Sequence, residues 1–165
     1  MKKIVALSTY CWIISALTIA IICGISFYAF TQPNGRISAW IICTIFLCVL
    51  LAAVWYMPIA LVLDQDKLDI YRPLRIKTIP ISNIQSVRLC HPTMGEKRIF
   101  GSGGFMGHYG WFSEPIIGKY FAYYGKASDC FLVTLNNGKK YMLGCTNAPE
   151  MVDAINILIS SAKTK

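Results

Sequence analysis

Residues 4–30 carry no charged side chain, and neither do residues 37–63. This absence constrains the fold more than any motif does. A helix needs about 20 mostly apolar residues to cross the hydrocarbon core of a bilayer, and each stretch is longer than that. A soluble core helix of such length keeps a polar stripe towards water, and neither stretch has one. All eight acidic residues lie from Asp64 onwards; before it the only charges are Lys2, Lys3 and Arg36. The sequence therefore predicts a two-helix transmembrane hairpin over residues 1–58, with helices at about 6–30 and 38–57, followed by a cytoplasmic domain over 59–165.

The basic start resembles a secretory signal, but a signal core spans roughly 7–15 residues and ends at a small-residue cleavage site. Here the run ends in Phe27, Tyr28 and Phe30, so a retained helix is expected. Residues 32–36 (Gln-Pro-Asn-Gly-Arg) are strong turn formers, and so short a link makes the helices antiparallel neighbours. Pro58, which cannot donate a backbone hydrogen bond, stops the second helix. Tyr10 and Trp12 fall level with Trp55 and Tyr56, and Phe27 and Tyr28 with Trp40, as rings at two membrane interfaces do. Lys2 and Lys3, with Lys67, Arg72, Arg75 and Lys77 after the second helix, outweigh the lone Arg36. The positive-inside rule then gives a multi-pass inner-membrane protein with both termini cytoplasmic.

Ala16, Ala20 and Gly24 recur every four positions, as do Thr44, Cys48 and Ala52. Small residues at this spacing let helix backbones approach closely in lipid. The rows are expected to seal the hairpin to itself; the alternative is a seam between chains in an oligomer. Neither helix holds an ionisable residue of the kind that ion pathways bury, which argues against transport.

Of the 16 lysines and arginines, 13 follow Asp64, where they meet eight acids. That surplus suits a surface near anionic lipid and is too weak to argue for nucleic acid. Cys11, Cys23, Cys43 and Cys48 sit in the apolar stretches as small hydrophobes. Cys90, Cys130 and Cys145 have no paired spacing, which fits a reduced compartment.

After Pro58 the apolar period changes to two, with turn signals between runs. Strands are expected at 59–63, 67–71, 75–81, 86–90, 119–124, 131–135 and 140–143. Asn137-Gly138 predicts a type I′ turn between the last two. Asn147 is placed as the cap of a terminal helix, with Pro149 in its first turn and Glu150 completing a capping box. Met151, Val152, Ile155, Leu158 and Ile159 form that helix's apolar face. About seven antiparallel strands and one helix describe a small barrel or orthogonal sandwich, a mainly-β or α+β domain.

Two pieces of sequence make a resemblance specific: Ile-Pro-Ile-Ser-Asn-Ile-Gln-Ser-Val at 79–87, and the Gly-Lys-Lys-Tyr strand leading into Asn-x-Pro-Glu at 147–150. With the glycine-rich centre between them, residues 59–161 resemble a bacterial pleckstrin-homology-like (PH-like) domain. The resemblance implies a PH-like barrel capped by its C-terminal helix, and a membrane-anchored binding or scaffolding module without catalysis. Eukaryotic relatives of that fold read phosphoinositides with basic residues between the first strands, roughly where Arg72, Arg75 and Lys77 lie. No fixed basic signature maps residue by residue, so the ligand stays open and fold alone does not supply it.

The glycine-rich stretch 101–110 lacks the Gly-Lys-Ser/Thr ending of a phosphate cradle and the spacing of a dinucleotide fingerprint, and Ser102 is not in a hydrolase elbow. No cofactor is expected. One reading makes the stretch an aromatic loop, with Phe105, Met106, Tyr109, Trp111 and Phe112 touching the bilayer or a partner. The other makes it a long irregular crossing whose aromatics pack onto the barrel. His91 and His108 with Cys90 and Cys145 lack metal-ligand spacing, so no metal site is expected. Glu96, Glu114 and Asp129 stand apart in sequence, and no catalytic residue is assigned. A membrane-surface enzyme would have to use the 91–114 segment, with His91, His108 and Glu96 around a polar pocket. The expected contacts to lipid headgroups or a protein partner are Arg72, Arg75, Lys77, Lys97, Arg98, Phe105, Tyr109 and Trp111. Lys139-Lys140 and Lys163/Lys165 are further basic pairs near an anionic surface.

Overall fold

The computed structural model describes residues 1–33, 35–93 and 95–163; Asn34 of the expected turn, and the side chains of Lys163 and Lys165, lie outside the described residues. The chain opens with a short strand, β1 (Lys2–Ile4), followed by α1 (Thr9–Thr31) and α2 (Arg36–Tyr56). Both helices are long and apolar enough to cross a membrane. At 1.5 Å per residue they measure about 35 and 32 Å. Ser8 caps α1, its Oγ accepting from Cys11 N at 3.2 Å.

The described residues form ten strands in two sheets. The first is wholly antiparallel, in the order β1, β2 (Ala60–Leu63), β3 (Lys67–Tyr71), β4 (Ile76–Pro80). The second contains β5 (Ile84–Leu89), β6 (Lys97–Gly104), β7 (Gly107–Glu114), β8 (Gly118–Tyr124), β9 (Cys130–Leu135) and β10 (Lys140–Gly144), in the order β5-β9-β10-β8-β7-β6. β10 runs parallel to β8, with Met142 opposite Ala122. The seven expected strands are present, and β1, β6 and β7 add three. The expected barrel does not form. A 3-10 turn over Ile81–Asn83 separates β4 from β5, which join different sheets. Helix α3 (Ala148–Lys163) closes the open side instead. Its Met151 and Ile155 are fully buried with Leu61, Leu68, Ile70, Phe131 and Val133 in one core.

Two local expectations change in detail. Gly138 has φ 78° but Asn137 is not left-handed, and Leu135 N donates to Lys139 O. That is a three-residue loop with a glycine bulge rather than a type I′ turn. Asn147 itself is left-handed, at φ 58°, and its Nδ2 donates to Glu150 Oε2 at 3.1 Å, so the pair bonds side chain to side chain.

The helices are stitched to the sheets at both ends. Lys3 lies opposite Leu61, Val5 N donates to Ile59 O, and Ser8 N donates to Gly125 O. Beyond α2, Ile59 N donates to Tyr71 O only three residues after the helix ends. No slack segment separates helices from domain. The two rows of small residues are not sealed together: Ala16, Ala20, Gly24, Thr44, Cys48 and Ala52 are all exposed, and nothing lies within 4 Å of a Cβ added at Gly24.

Candidate functional site

The three basic residues singled out after the second helix converge. Arg72 and Arg75 bound the β3–β4 turn, closed by Arg72 N donating to Arg75 O, and Lys77 follows on β4. All three line a recess of about 460 Å³ whose other wall is Trp55, Tyr56, Phe121 and Tyr123. Among the described residues no carboxylate lines this recess. Lys77 Nζ donates to Tyr141 Oη at 2.9 Å and sits 4.4 Å from the centre of that ring.

Arg72 is only 9% exposed. Its guanidinium lies 5.6 Å from the Tyr123 ring centre and 6.0 Å from that of Tyr56. Among the described residues its one side-chain hydrogen bond is long, 3.4 Å from Nη1 to Tyr123 Oη, and its buried Nε has no partner. Burial pushes the Tyr123 hydroxyl pKa up, and the Arg72 charge opposes that shift. A buried guanidinium is normally matched by an anion or by several acceptors. This one has neither.

The glycine-rich stretch is neither a loop nor an irregular crossing. It is a β6–β7 hairpin, with a register shift between Arg98 and Phe100, lying against the helices. Gly101 pairs with Gly110 and Gly104 with Gly107. At the tip, Met106 N donates to Ser15 Oγ of α1 at 2.9 Å. Gly101 and Gly110 have φ of 127° and 123°, and a Cβ at either would lie 2.1–2.2 Å from a carbonyl oxygen of the opposite strand. Only glycine permits that approach.

Between this hairpin and the helices runs a second cavity, about 570 Å³, lined mainly by apolar groups. Val49, Ala52, Ala53 and Tyr56 of α2 form one side, and Phe100, Phe105, Tyr109 and Trp111 of the hairpin the other. Among the described residues Arg98 is the one charged residue that lines it. Tyr109 stacks on Tyr56 at 6.4 Å, and Trp111 meets Phe121 edge-on at 5.3 Å. Lys97 is exposed beside Ser113 and lines neither cavity. Tyr56, Phe121 and Tyr123, which build the aromatic wall of the recess, were not distinguishable in sequence from interface or core aromatics.

The acidic and histidine residues of the 91–114 segment do not surround either cavity. His91 is exposed and bonds Ala127 O, while Glu96 accepts from Tyr120 and Tyr124, at 2.5 Å from Tyr120. His108 stacks on Tyr124 at 4.5 Å, and burial, then the Arg98 charge, lowers its pKa. Glu114 is buried and accepts from Thr93, leaving its Oε2 without a partner. Among the described residues no cluster of three or more His, Cys, Asp or Glu forms that could hold a metal.

The bacterial PH domain family matches residues 59–159, from the residue before β2 to the last turns of α3. The chain belongs to this family. No curated protein and no solved structure matches it. Membership suggests a binding or scaffolding module, and the two apolar helices ahead of the PH domain are compatible with a membrane anchor. β1 lies outside the matched residues yet supplies an edge strand to the domain's first sheet. Both cavities combine PH-domain residues with residues of α2, so neither is complete in the matched segment alone.

Proposed function

We propose that this protein is a membrane-anchored PH-domain binding module that holds an anionic group in the Arg72/Arg75/Lys77 recess at the cytoplasmic face of the bilayer, without catalysis. One observation carries the reading: among the described residues, three cations line a recess that no carboxylate lines, and the buried Nε of one of them, Arg72, has no hydrogen-bond partner. The recess also adjoins Trp55 and Tyr56, the last residues of α2, where a spanning helix would leave the hydrocarbon. Anionic lipid attracts basic side chains near the surface by about 1 kcal/mol each. Residues 1–58 act as the anchor and 59–165 as the binding domain, with β1 reaching back to brace it. Oligomers are compatible with the exposed small-residue rows.

Hydrogen exchange of the full chain in nanodiscs tests the binding face. Residues 71–78 should be better protected in phosphatidylglycerol than in phosphatidylcholine, and Arg75→Glu with Lys77→Glu should erase the difference. Equal protection in both lipids means the basic face points away from the membrane, and the reading fails. For orientation, Gln32→Cys in a background without native cysteines should react with an impermeant reagent added outside intact cells. Protection there reverses the topology.

A further inference from the structure

The cationic recess and the apolar groove are neighbours. Tyr56 and Phe121 line both, so the two cavities meet at a common aromatic wall. On the recess side lie three cations, and on the groove side apolar groups with Arg98. The groove follows α2 from Tyr56 to Val49, a rise of about 10 Å along the helix axis. If α2 spans the bilayer, the groove runs from the interface into the hydrocarbon, in the direction an acyl chain takes. Its volume lies within the range of sites that enclose a ligand, roughly 300–1,000 Å³.

We propose that one anionic glycerophospholipid seats across both cavities, with its phosphate in the Arg72/Arg75/Lys77 recess and one acyl chain in the groove beside Ala52 and Val49. This rests on the anion reading of the recess and names its ligand. Charge complementarity selects the headgroup: the recess holds no acid, and the unpartnered Arg72 Nε is a buried donor awaiting an acceptor. The groove selects the rest of the molecule. A free phosphate would leave the groove empty, and an apolar side chain from another protein would leave three cations unmatched. A phospholipid satisfies both halves at their junction.

The test uses the full chain in a non-ionic detergent, titrated with dioleoyl phosphatidylglycerol, dioleoyl phosphatidylcholine or glycerophosphate and read by native mass spectrometry. Phosphatidylglycerol should bind one to one and outcompete phosphatidylcholine. Ala52→Trp, which fills the groove from an exposed position, should weaken phosphatidylglycerol on the order of tenfold and leave glycerophosphate unchanged. Val49→Trp, also exposed in the helix, should repeat this result, so a folding defect in one variant does not decide the outcome. Arg75→Gln with Lys77→Gln should weaken both ligands. If the tryptophans leave phosphatidylglycerol binding intact, or glycerophosphate binds as tightly as the lipid, the acyl-chain seat is overturned while the anion recess stands. If the glutamine pair changes neither ligand, the anion reading falls and this inference falls with it.

Discussion

Two hairpins flank the end of α2, and they are built from opposite materials. β3–β4 follows ordinary strand chemistry: apolar Leu68 and Ile70 point to the core, while Arg72, Arg75 and Lys77 carry charge at its turn and far strand. In β6–β7 four of the five glycines form two cross-strand pairs, and Phe100 and Trp111 stay exposed. The first hairpin is held by side chains in the core. The second buries Tyr109 and Phe112 but also depends on backbone proximity at Gly101 and Gly110, where the strands lie too close for a Cβ. The cationic recess thus borders a conventionally packed element, and the apolar groove one whose shape depends on glycine.

The sharpest way to break that contrast is Gly110→Val. It forces a β-branched residue to φ 123°, with its Cβ 2.2 Å from Phe100 O. Backbone strain and the clash together should destabilise the protein by about 3 kcal/mol or more. Thermal unfolding in detergent would show the loss, and proteolysis should open residues 97–114 before residues 67–80. Unchanged stability would mean the glycine seam is not what shapes the groove.

A smaller effect, of opposite sign, is expected on the other hairpin. Arg72→Met keeps an aliphatic stem between Tyr56 and Tyr123 and removes a buried charge without an acid partner. Replacing a poorly compensated buried charge by an apolar group is often neutral or stabilising. In neutral detergent without an anion, the variant should gain about 1 kcal/mol, while protection of residues 71–78 by anionic lipid declines. A loss of stability instead would make the guanidinium a structural stack with the two tyrosines.

The same contrast explains what the sequence disclosed. Strands β2–β5 and β8–β10 alternate apolar and polar residues or carry β-branched runs between turn signals, and such patterns are legible at short range. β6 and β7 were not, because Gly-Ser-Gly-Gly has little strand propensity and its pairing is fixed by cross-strand glycine contacts. β1 was hidden because Met-Lys-Lys-Ile before an apolar run reads as a helix flank; only the tertiary pairing of Ile4 with Ala60 makes it a strand. The family was readable from the 79–87 and 147–150 segments, which match a structural scaffold. At the site, the cations Arg72, Arg75 and Lys77 were visible as charges after a helix. Their aromatic wall was not, since Tyr56, Phe121 and Tyr123 come from three elements that only the fold joins.

The smallest expected effect concerns how the β6–β7 hairpin answers to pH. His108 lies on β7 against Tyr124, whose hydroxyl donates to Glu96; its Nδ1 is 3.8 Å from Cys11 Sγ. Arg98 is the cation that acts on it, and burial, followed by that charge, holds its pKa below the usual 6.5. The sign follows from proton counting. In the unfolded chain the imidazole binds a proton as pH falls through 6.5, whereas in the fold it resists until lower pH. The unfolded state therefore binds more protons in that window, and stability declines as pH drops below about 6.5. Above that value both states are neutral and the effect vanishes. Unfolding temperatures measured between pH 7.5 and 5.5 should fall for the native chain. The fall should be shallower for His108→Gln. Because β3–β4 contains no histidine, protection of residues 67–80 should change less with pH than that of residues 97–114. Equal pH sensitivity of the two hairpins would show that His108 does not govern the glycine seam, and that the hairpins open as one unit.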